Sequence, residues 1–443
     1  MADRPHDPGP AGLLTRPQPL GVLPLPLGYL LVPAGTDTDP ARLDLLAGRV
    51  PARWPDRLRA HELALAGDRD GALAVLDADP EPGPVARYNR FVLDPDAPAP
   101  RGTDPDRLRR ELGELGVLVD LVLFALGRTD QPPGSSGAVA DGDVADGEVA
   151  DGEIGALVLS AQAAHVLGTD GPAAAVALLD RAVEQAAPVS PPLAGLLHAA
   201  AAGILREHGD LGCVARFEQA LALLDDADGV AVGRAEVHLE LAGALHEQAD
   251  DRPDMLNRAV PHYHAALQLV RREDAALTWA AAHAGLATAY LTMPMVEASG
   301  QLRLGIAAQS LRAALTVYTR EDHPAEWASL QLNLANSLVY GPTAHREENL
   351  VDAVEIYEAV LQTRDRHADP LGRARVLSNQ GTVLAHLGAF DDAKARLYEA
   401  RFLFEEHTDE ASVRAVRGVL DEIARQTALA RTAEHDAPAP APG

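Results

Sequence analysis

Small and large apolar residues repeat at fixed spacings from about residue 154 to residue 431. Each copy has a small residue, a large residue four positions later and, usually, a small and an aliphatic residue after three more. Positions three and four apart share one face of a helix, so the pattern predicts one buried helical face per copy. Six copies occur: Ala175, Leu179, Ala182, Val183; Cys213, Phe217, Ala220, Leu221; Ala259, Tyr263, Ala266, Leu267; Ala307, Leu311, Ala314, Leu315; Ala353, Tyr357, Val360, Leu361; and Ala393, Leu397, Ala400.

A second helical pattern lies upstream of each copy. It is clearest at Trp279-Ala280 and again, in the same register, at Trp327-Ala328. Two antiparallel helices pack closely when small side chains lie at the crossing and large ones fill the space beside it. A single hairpin cannot bury its apolar face alone, whereas stacked hairpins can. The sequence therefore predicts an all-α, right-handed superhelical solenoid of about six helical hairpins, with a concave surface and a capping helix at Ser412–Leu429.

The repeats resemble a known family. The last copy, with Asn379, Gly381, Gly388 and the helix around Ala393, resembles the standard tetratricopeptide repeat. The middle copies, such as Trp327-Ala328 followed by an asparagine-leucine pair, resemble its longer bacterial form, known from actinobacteria and cyanobacteria. The resemblance covers residues 154–431. It implies that the first helix of each repeat lines a concave protein-binding surface.

Three features depart from a regular repeat. Pro261 lies inside the third copy, where we expect it to kink the helix or to mark its start. A long segment between helices is expected at 292–305, and a loop is expected within 339–354, which contains Gly341-Pro342.

The rest of the chain suggests further segments. Residues 1–40 are rich in proline and glycine and are expected to be extended, with one short strand at 28–32. Residues 41–130 are expected to form a separate helical docking or capping module, including a hairpin over 57–76 and one helix over 105–126. Residues 131–153 read as a flexible acidic linker. The array with its cap then spans 154–431, and 432–443 is expected to be a disordered tail.

Charge and composition narrow the class of partner. The formal net charge is −27 and the sequence pI is about 4.9, which disfavours nucleic acid and anionic membranes. No apolar run is long enough to span a bilayer. The single cysteine, Cys213, suits a reducing compartment, so a cytoplasmic location is expected. Lys394 is the only lysine, and this arginine-rich composition is typical of an actinobacterial protein.

The sequence carries no catalytic or cofactor-binding motif of a familiar kind, so we expect no enzyme activity and no cofactor. His198, His238 and His283 occupy equivalent places in successive repeats. Equivalent positions lie roughly 10 Å apart, one helix diameter, which is too far for shared metal ligation. We interpret them as packing histidines and expect no metal site. A metal-binding protein or an enzyme using dispersed histidines is the alternative of another class.

The resemblance places candidate partner contacts on the first helices. They are Glu236, Glu240, Asn333, Asn336, Arg375, Asn379 and Thr382. An asparagine side chain both donates and accepts hydrogen bonds, which suits it to an extended peptide backbone. The equally weighted alternative is that Asn333 and Asn379 only satisfy backbone groups between helices.

These observations favour a protein-interaction scaffold or adaptor. On charge complementarity, its partner is expected to present a basic or apolar segment. An assembly or maturation factor for a larger enzyme complex needs the same surface and stays open. A regulator that senses a peptide signal is a further possible function. Self-association of the protein also stays open.

Overall fold

The computed structural model describes residues 18–19, 27–97, 104–134, 152–249, 252–294, 299–341 and 345–435. Regular structure in these residues is helical apart from one ladder of two short antiparallel strands, which confirms the predicted all-α class. Backbone contacts divide the chain into a first unit, residues 1–247, and a second unit, residues 248–443. No helix in the described part of the chain is both long enough and apolar enough to cross a membrane.

The first unit contains two strands and eleven α-helices among its described residues. The elements are β1 (Gln18–Pro19), β2 (Leu31–Val32), α1 (Asp39–Leu46), α2 (Arg59–Leu65), α3 (Arg69–Asp77), α4 (Pro84–Leu93), α5 (Pro105–Leu112), α6 (Val117–Ala125), α7 (Glu153–Thr169), α8 (Pro172–Ala186), α9 (Pro191–Glu207), α10 (Cys213–Leu223) and α11 (Ala231–Glu247).

The second unit is helical throughout its described residues. Its helices are α12 (Met255–Leu269), α13 (Ala276–Thr292), α14 (Ser299–Ala314), α15 (Pro324–Tyr340), α16 (Arg346–Leu361), α17 (Pro370–His386), α18 (Phe390–Glu406) and α19 (Glu410–His435).

Consecutive helices pack as hairpins, as a tetratricopeptide-type array requires. The pairs are α7 with α8 and α9 with α10 in the first unit, and α13 with α14, α15 with α16 and α17 with α18 in the second. The small residues of the repeat pattern lie at these crossings: Ala182, Ala314 and Ala400, for example, are fully buried. Helix α19 packs on α18 through Val413, Val416 and its neighbours, in the place predicted for the cap.

The start of the first unit is organised around an extended segment. Leu31 is fully buried, and the side chain of Asn89 on α4 binds both of its main-chain polar groups. The Asn89 Oδ1 atom accepts from the Leu31 N–H at 2.7 Å, and Nδ2 donates to the Leu31 carbonyl at 2.9 Å. The same core includes Ile154 and Val158 of α7. The N-terminal helices thus cover the first helix of the array.

Several boundaries differ from the sequence predictions. The helix expected over 105–126 is interrupted by a 3-10 turn at Gly113–Gly116, where Gly113 has a φ of 59°. Helix α12 begins at Met255 and continues through Pro261, so the alternative that Pro261 marks the start of this helix is wrong. Pro261 is exposed, so water can solvate the carbonyl that loses its helical partner.

The long connections are also shorter than expected. Helix α14 begins at Ser299, well before Gly305, and α16 begins at Arg346. Much of the predicted linker, 135–151, and of the predicted tail, 436–443, lies outside the described residues, as do 1–17 and 20–26 of the predicted extended segment.

A buried ion pair joins α1 to the start of α7. The Arg42 Nη2 and Glu153 Oε2 atoms are 2.5 Å apart, and both side chains are at most 5% exposed. Burial raises the pKa of the Glu153 carboxyl, and the charge of Arg42 opposes that rise. Removing one partner leaves the other charge buried and uncompensated.

We therefore predict that Arg42→Met or Glu153→Leu alone lowers the free energy of unfolding by about 3–5 kcal/mol. The double variant Arg42→Met/Glu153→Leu should show a far smaller decrease in the free energy of unfolding, because no lone charge stays buried. Urea unfolding of the four proteins measures this. Additive losses in the double variant would contradict the account.

The turn between α18 and α19 holds a residue in an unfavourable backbone conformation. Thr408 has a φ of 55°, in the left-handed region. The equivalent turn after α17 places Gly388 there, with a φ of 77°. In both turns the next residue donates to a carbonyl five positions back, Asp409 to Phe404 and Ala389 to Leu384.

We predict that Thr408→Gly raises the free energy of unfolding by about 0.5–1 kcal/mol, since the relieved strain exceeds the entropy cost of glycine. The matched change Gly388→Thr should lower it. Thermal unfolding of both variants measures the difference, and a less stable Thr408→Gly protein would refute the explanation.

Candidate functional site

The first helices of the second unit, α13, α15 and α17, form a surface that we call the first-helix face. Thr288, Asn336 and Thr382 occupy equivalent positions on these three helices, and Asn379 occupies the position equivalent to Asn333. The Asn379 Nδ2 atom donates to Asn336 Oδ1 at 3.2 Å, and the Tyr357 hydroxyl of α16 donates to the same oxygen at 2.6 Å. Asn336 thus joins α15 to both α16 and α17.

A groove about 440 Å³ in volume lies between α13 and α15. We call it the α13–α15 groove. Small side chains leave this space open, and a few polar groups point into it, as in many ligand-binding clefts. Its lining residues are Ala281, Ala284, Thr288, Tyr318, Ala325, Glu326, Ser329, Leu330 and Asn333.

Most polar side chains of this groove make no hydrogen bond to other described residues. The Thr288 hydroxyl donates to the Ala284 carbonyl at 2.9 Å. By contrast, the side chains of Glu326, Ser329 and Asn333 make no hydrogen bond or ion pair within the described part of the protein. They lie on one face of α15, three or four residues apart. Free donors and acceptors therefore line a largely apolar groove.

Tyr318 forms one wall of the groove. Its ring meets the ring of His323 edge-on, with centroids 5.3 Å apart. Burial raises the pKa of the Tyr318 hydroxyl, and the negative charge of Glu326 raises it further. The carboxylate and the phenol therefore lie close enough to interact electrostatically.

A second groove separates α17 from α19. Its volume is about 430 Å³, and Thr382, His386, Glu422 and Arg425 contribute polar groups to its lining. The Thr382 hydroxyl donates to the Ser378 carbonyl at 2.8 Å, so its hydrogen is already used. The first-helix face thus has one groove on each side of the Asn336–Asn379 contact.

The other predicted contact residues are dispersed. Glu236 and Glu240 lie exposed on α11 of the first unit. The Glu240 carboxylate accepts from Arg206 at 2.5 Å, so it is engaged within that unit. Arg375 is exposed on α17. There its charge helps the hydrogen bonds from Ser412 to keep the pKa of Asp409 low.

Sequence reasoning missed Glu326, Ser329 and Tyr318. Glu326 and Ser329 precede Asn333 by seven and four residues, so helical periodicity alone places all three on one face. Tyr318 follows α14 and approaches the groove only through the tertiary fold.

The histidines sit in packed surroundings. His198 and His283 are partly buried, and burial lowers the pKa of each. His283 packs edge-on against Trp279 with ring centroids 4.4 Å apart. In each of the two rings a buried Nδ1 atom has no hydrogen-bond partner among the described residues. Among the described residues, no three histidine, cysteine or acidic side chains are grouped to hold a metal ion.

No protein-family model and no curated protein matches the chain. Among solved structures, the apo form of RapI is 13% identical, covers 61% of this chain and 98% of its own, and gives a TM-score of 0.41. A Rap protein complexed with competence and sporulation factor is 14% identical, covers 83% of this chain and 96% of its own, and gives a TM-score of 0.39. The complex of the TPR2AB domain of yeast Sti1 with pHSP90 is 16% identical, covers 61% of this chain and 98% of its own, and gives a TM-score of 0.24. These scores are too low to support any functional argument.

The Asn336 contact makes a stability prediction. Asn336→Ala should lower the free energy of unfolding by about 1–3 kcal/mol, because it leaves the buried Tyr357 hydroxyl without a partner. In a protein that already carries Tyr357→Phe, Asn336→Ala should lower the free energy of unfolding by less, because no hydroxyl is left without a partner. A double-mutant cycle by urea unfolding measures the coupling, and equal costs in both backgrounds would rule out the contact.

Proposed function

We propose that this chain, a tetratricopeptide-type array of helical hairpins, is an adaptor or scaffold that binds a partner protein through its first-helix face. The observation that carries the proposal is the α13–α15 groove, where the side chains of Glu326, Ser329 and Asn333 make no hydrogen bond or ion pair within the described residues. Glu326 and Ser329 are exposed, whereas the Asn333 side chain is partly buried and therefore gains most when a ligand supplies its hydrogen bonds.

The chemistry of the groove suits an extended peptide segment. The Asn333 side chain offers a donor and an acceptor, which match the carbonyl and N–H of a peptide unit. Alanines on both helices leave room for the segment to approach closely. The carboxylate of Glu326 and the net charge of −27 favour a basic or apolar segment over an acidic one.

Asn336 and Asn379 contribute differently under this proposal. Their amides bind one another and Tyr357, so they hold α15, α16 and α17 together beside the groove. Asn333 is the better target for a binding test, because its replacement removes no hydrogen bond or ion pair within the described residues.

The second candidate is an assembly or maturation factor that holds a subunit only until a larger complex forms. It would use the same groove, and the lifetime of the complex separates the two functions. A partner that stays bound through gel filtration favours the scaffold, whereas binding of only an immature subunit favours the factor. Both proposals include a cytoplasmic location, with Cys213 as a buried free thiol.

The direct test is to purify the tagged full-length chain from its own host and identify co-purifying proteins by mass spectrometry. We expect one near-stoichiometric partner, reduced at least about tenfold by the double change Asn333→Ala/Ser329→Leu, which removes the amide and fills the groove.

The control is Asn257→Ala/Gln301→Leu, which likewise replaces one asparagine by alanine and introduces one leucine, at exposed positions on α12 and α14. It should leave the partner bound. Equal recovery with the groove variant, or no specific partner at all, would reject the proposed function.

A further inference from the structure

The strongest unassigned chemistry in the second unit is the unpaired acid at one end of the α13–α15 groove. We propose that this groove takes an arginine side chain, carried by an extended segment of the partner, with its guanidinium on Glu326. The inference rests on the proposed function and specifies the residue that the partner must present.

The Glu326 carboxylate is exposed and lies beside the groove without an ion pair to another described residue. Many acids of this chain pair with arginines, as Asp180 does with Arg216 at 2.5 Å and Glu358 with Arg396 at 2.9 Å. Glu326 has no such partner among the described residues. The nearby Arg320 instead places its guanidinium over the ring of Trp327, 5.7 Å from the centroid.

Helix capping does not account for this carboxylate. Glu326 lies in the first turn of α15, where an acidic side chain often caps a backbone N–H. No side chain makes a capping hydrogen bond at this helix start. The carboxylate instead lines the groove together with Tyr318.

The remaining groups fit a guanidinium and the peptide that carries it. A carboxylate can accept two parallel hydrogen bonds from a guanidinium, and an aromatic ring beside it can stack on the planar cation. Asn333 lies seven residues along α15, roughly 10 Å from Glu326. That distance matches about three residues of extended chain, so the Asn333 amide can bind the peptide main chain near the arginine.

Arginine fits better than lysine for a physical reason. A guanidinium is planar, can bind a carboxylate through two hydrogen bonds and sheds water more readily than an ammonium group. Three alanines, Leu330 and the ring of Tyr318 make much of the groove lining apolar, so weak hydration of the ligand matters.

The test uses the full-length chain and a fluorescent peptide, acetyl-Ala-Leu-Arg-Ala-Leu-Ala-amide. A second peptide replaces arginine with citrulline, which has the same shape and no charge. Fluorescence anisotropy should show the arginine peptide binding at least about tenfold more tightly than the citrulline peptide. Glu326→Gln should abolish the preference.

Glu321→Gln is the matched control, since Glu321 is an exposed acid that does not line the groove. This variant removes the same charge and should keep the preference for arginine. Equal binding of the two peptides, no detectable arginine binding at millimolar peptide, or equal losses in both variants would each overturn the inference.

The failure of this inference is distinguishable from failure of the proposed function. If the natural partner still binds the Glu326→Gln variant but does not bind Asn333→Ala/Ser329→Leu, the groove binds a partner without an arginine contact. If no variant affects any partner, the groove itself is not the binding site.

Discussion

Close packing of helices at small residues is the constraint on which the rest of this structure depends. Ala175, Ala307 and Ala393 are fully buried where hairpin helices cross. At Gly381 a β-carbon would lie only 2.7 Å from the Leu397 Cγ atom, so even alanine would require the helices to shift. Each hairpin then presents its first helix at a fixed place, and the α13–α15 groove is a consequence of that spacing.

This constraint explains why the array was readable from sequence. Helical periodicity is a local signal, and a pattern of small and large apolar residues recurs in six copies, so the hairpins and the cap were predictable. The short helices α1 and α4 have no repeat to reveal them. The contact of Asn89 with Leu31 joins residues 58 positions apart, which no local pattern encodes.

The candidate site was predictable only in part. Asn333, Asn336 and Asn379 look alike in sequence as polar residues on first helices. Their roles differ because the Tyr357 hydroxyl reaches Asn336 from another helix, while Asn333 is left beside an open groove. Glu240 on α11 shows the same effect, since the arginine that engages its carboxylate, Arg206, lies 34 residues upstream. Tertiary contacts decide which polar residues are free to bind.

The central claim is that a partner occupies the α13–α15 groove. Hydrogen exchange of the full-length chain, alone and with its co-purified partner, tests this most directly. The account predicts slower exchange on binding in α13, in the segment around Tyr318 and in the first turns of α15, with α18 unchanged. Protection confined to α18 or to the first unit, with exchange in α13 and α15 unaltered, would contradict it.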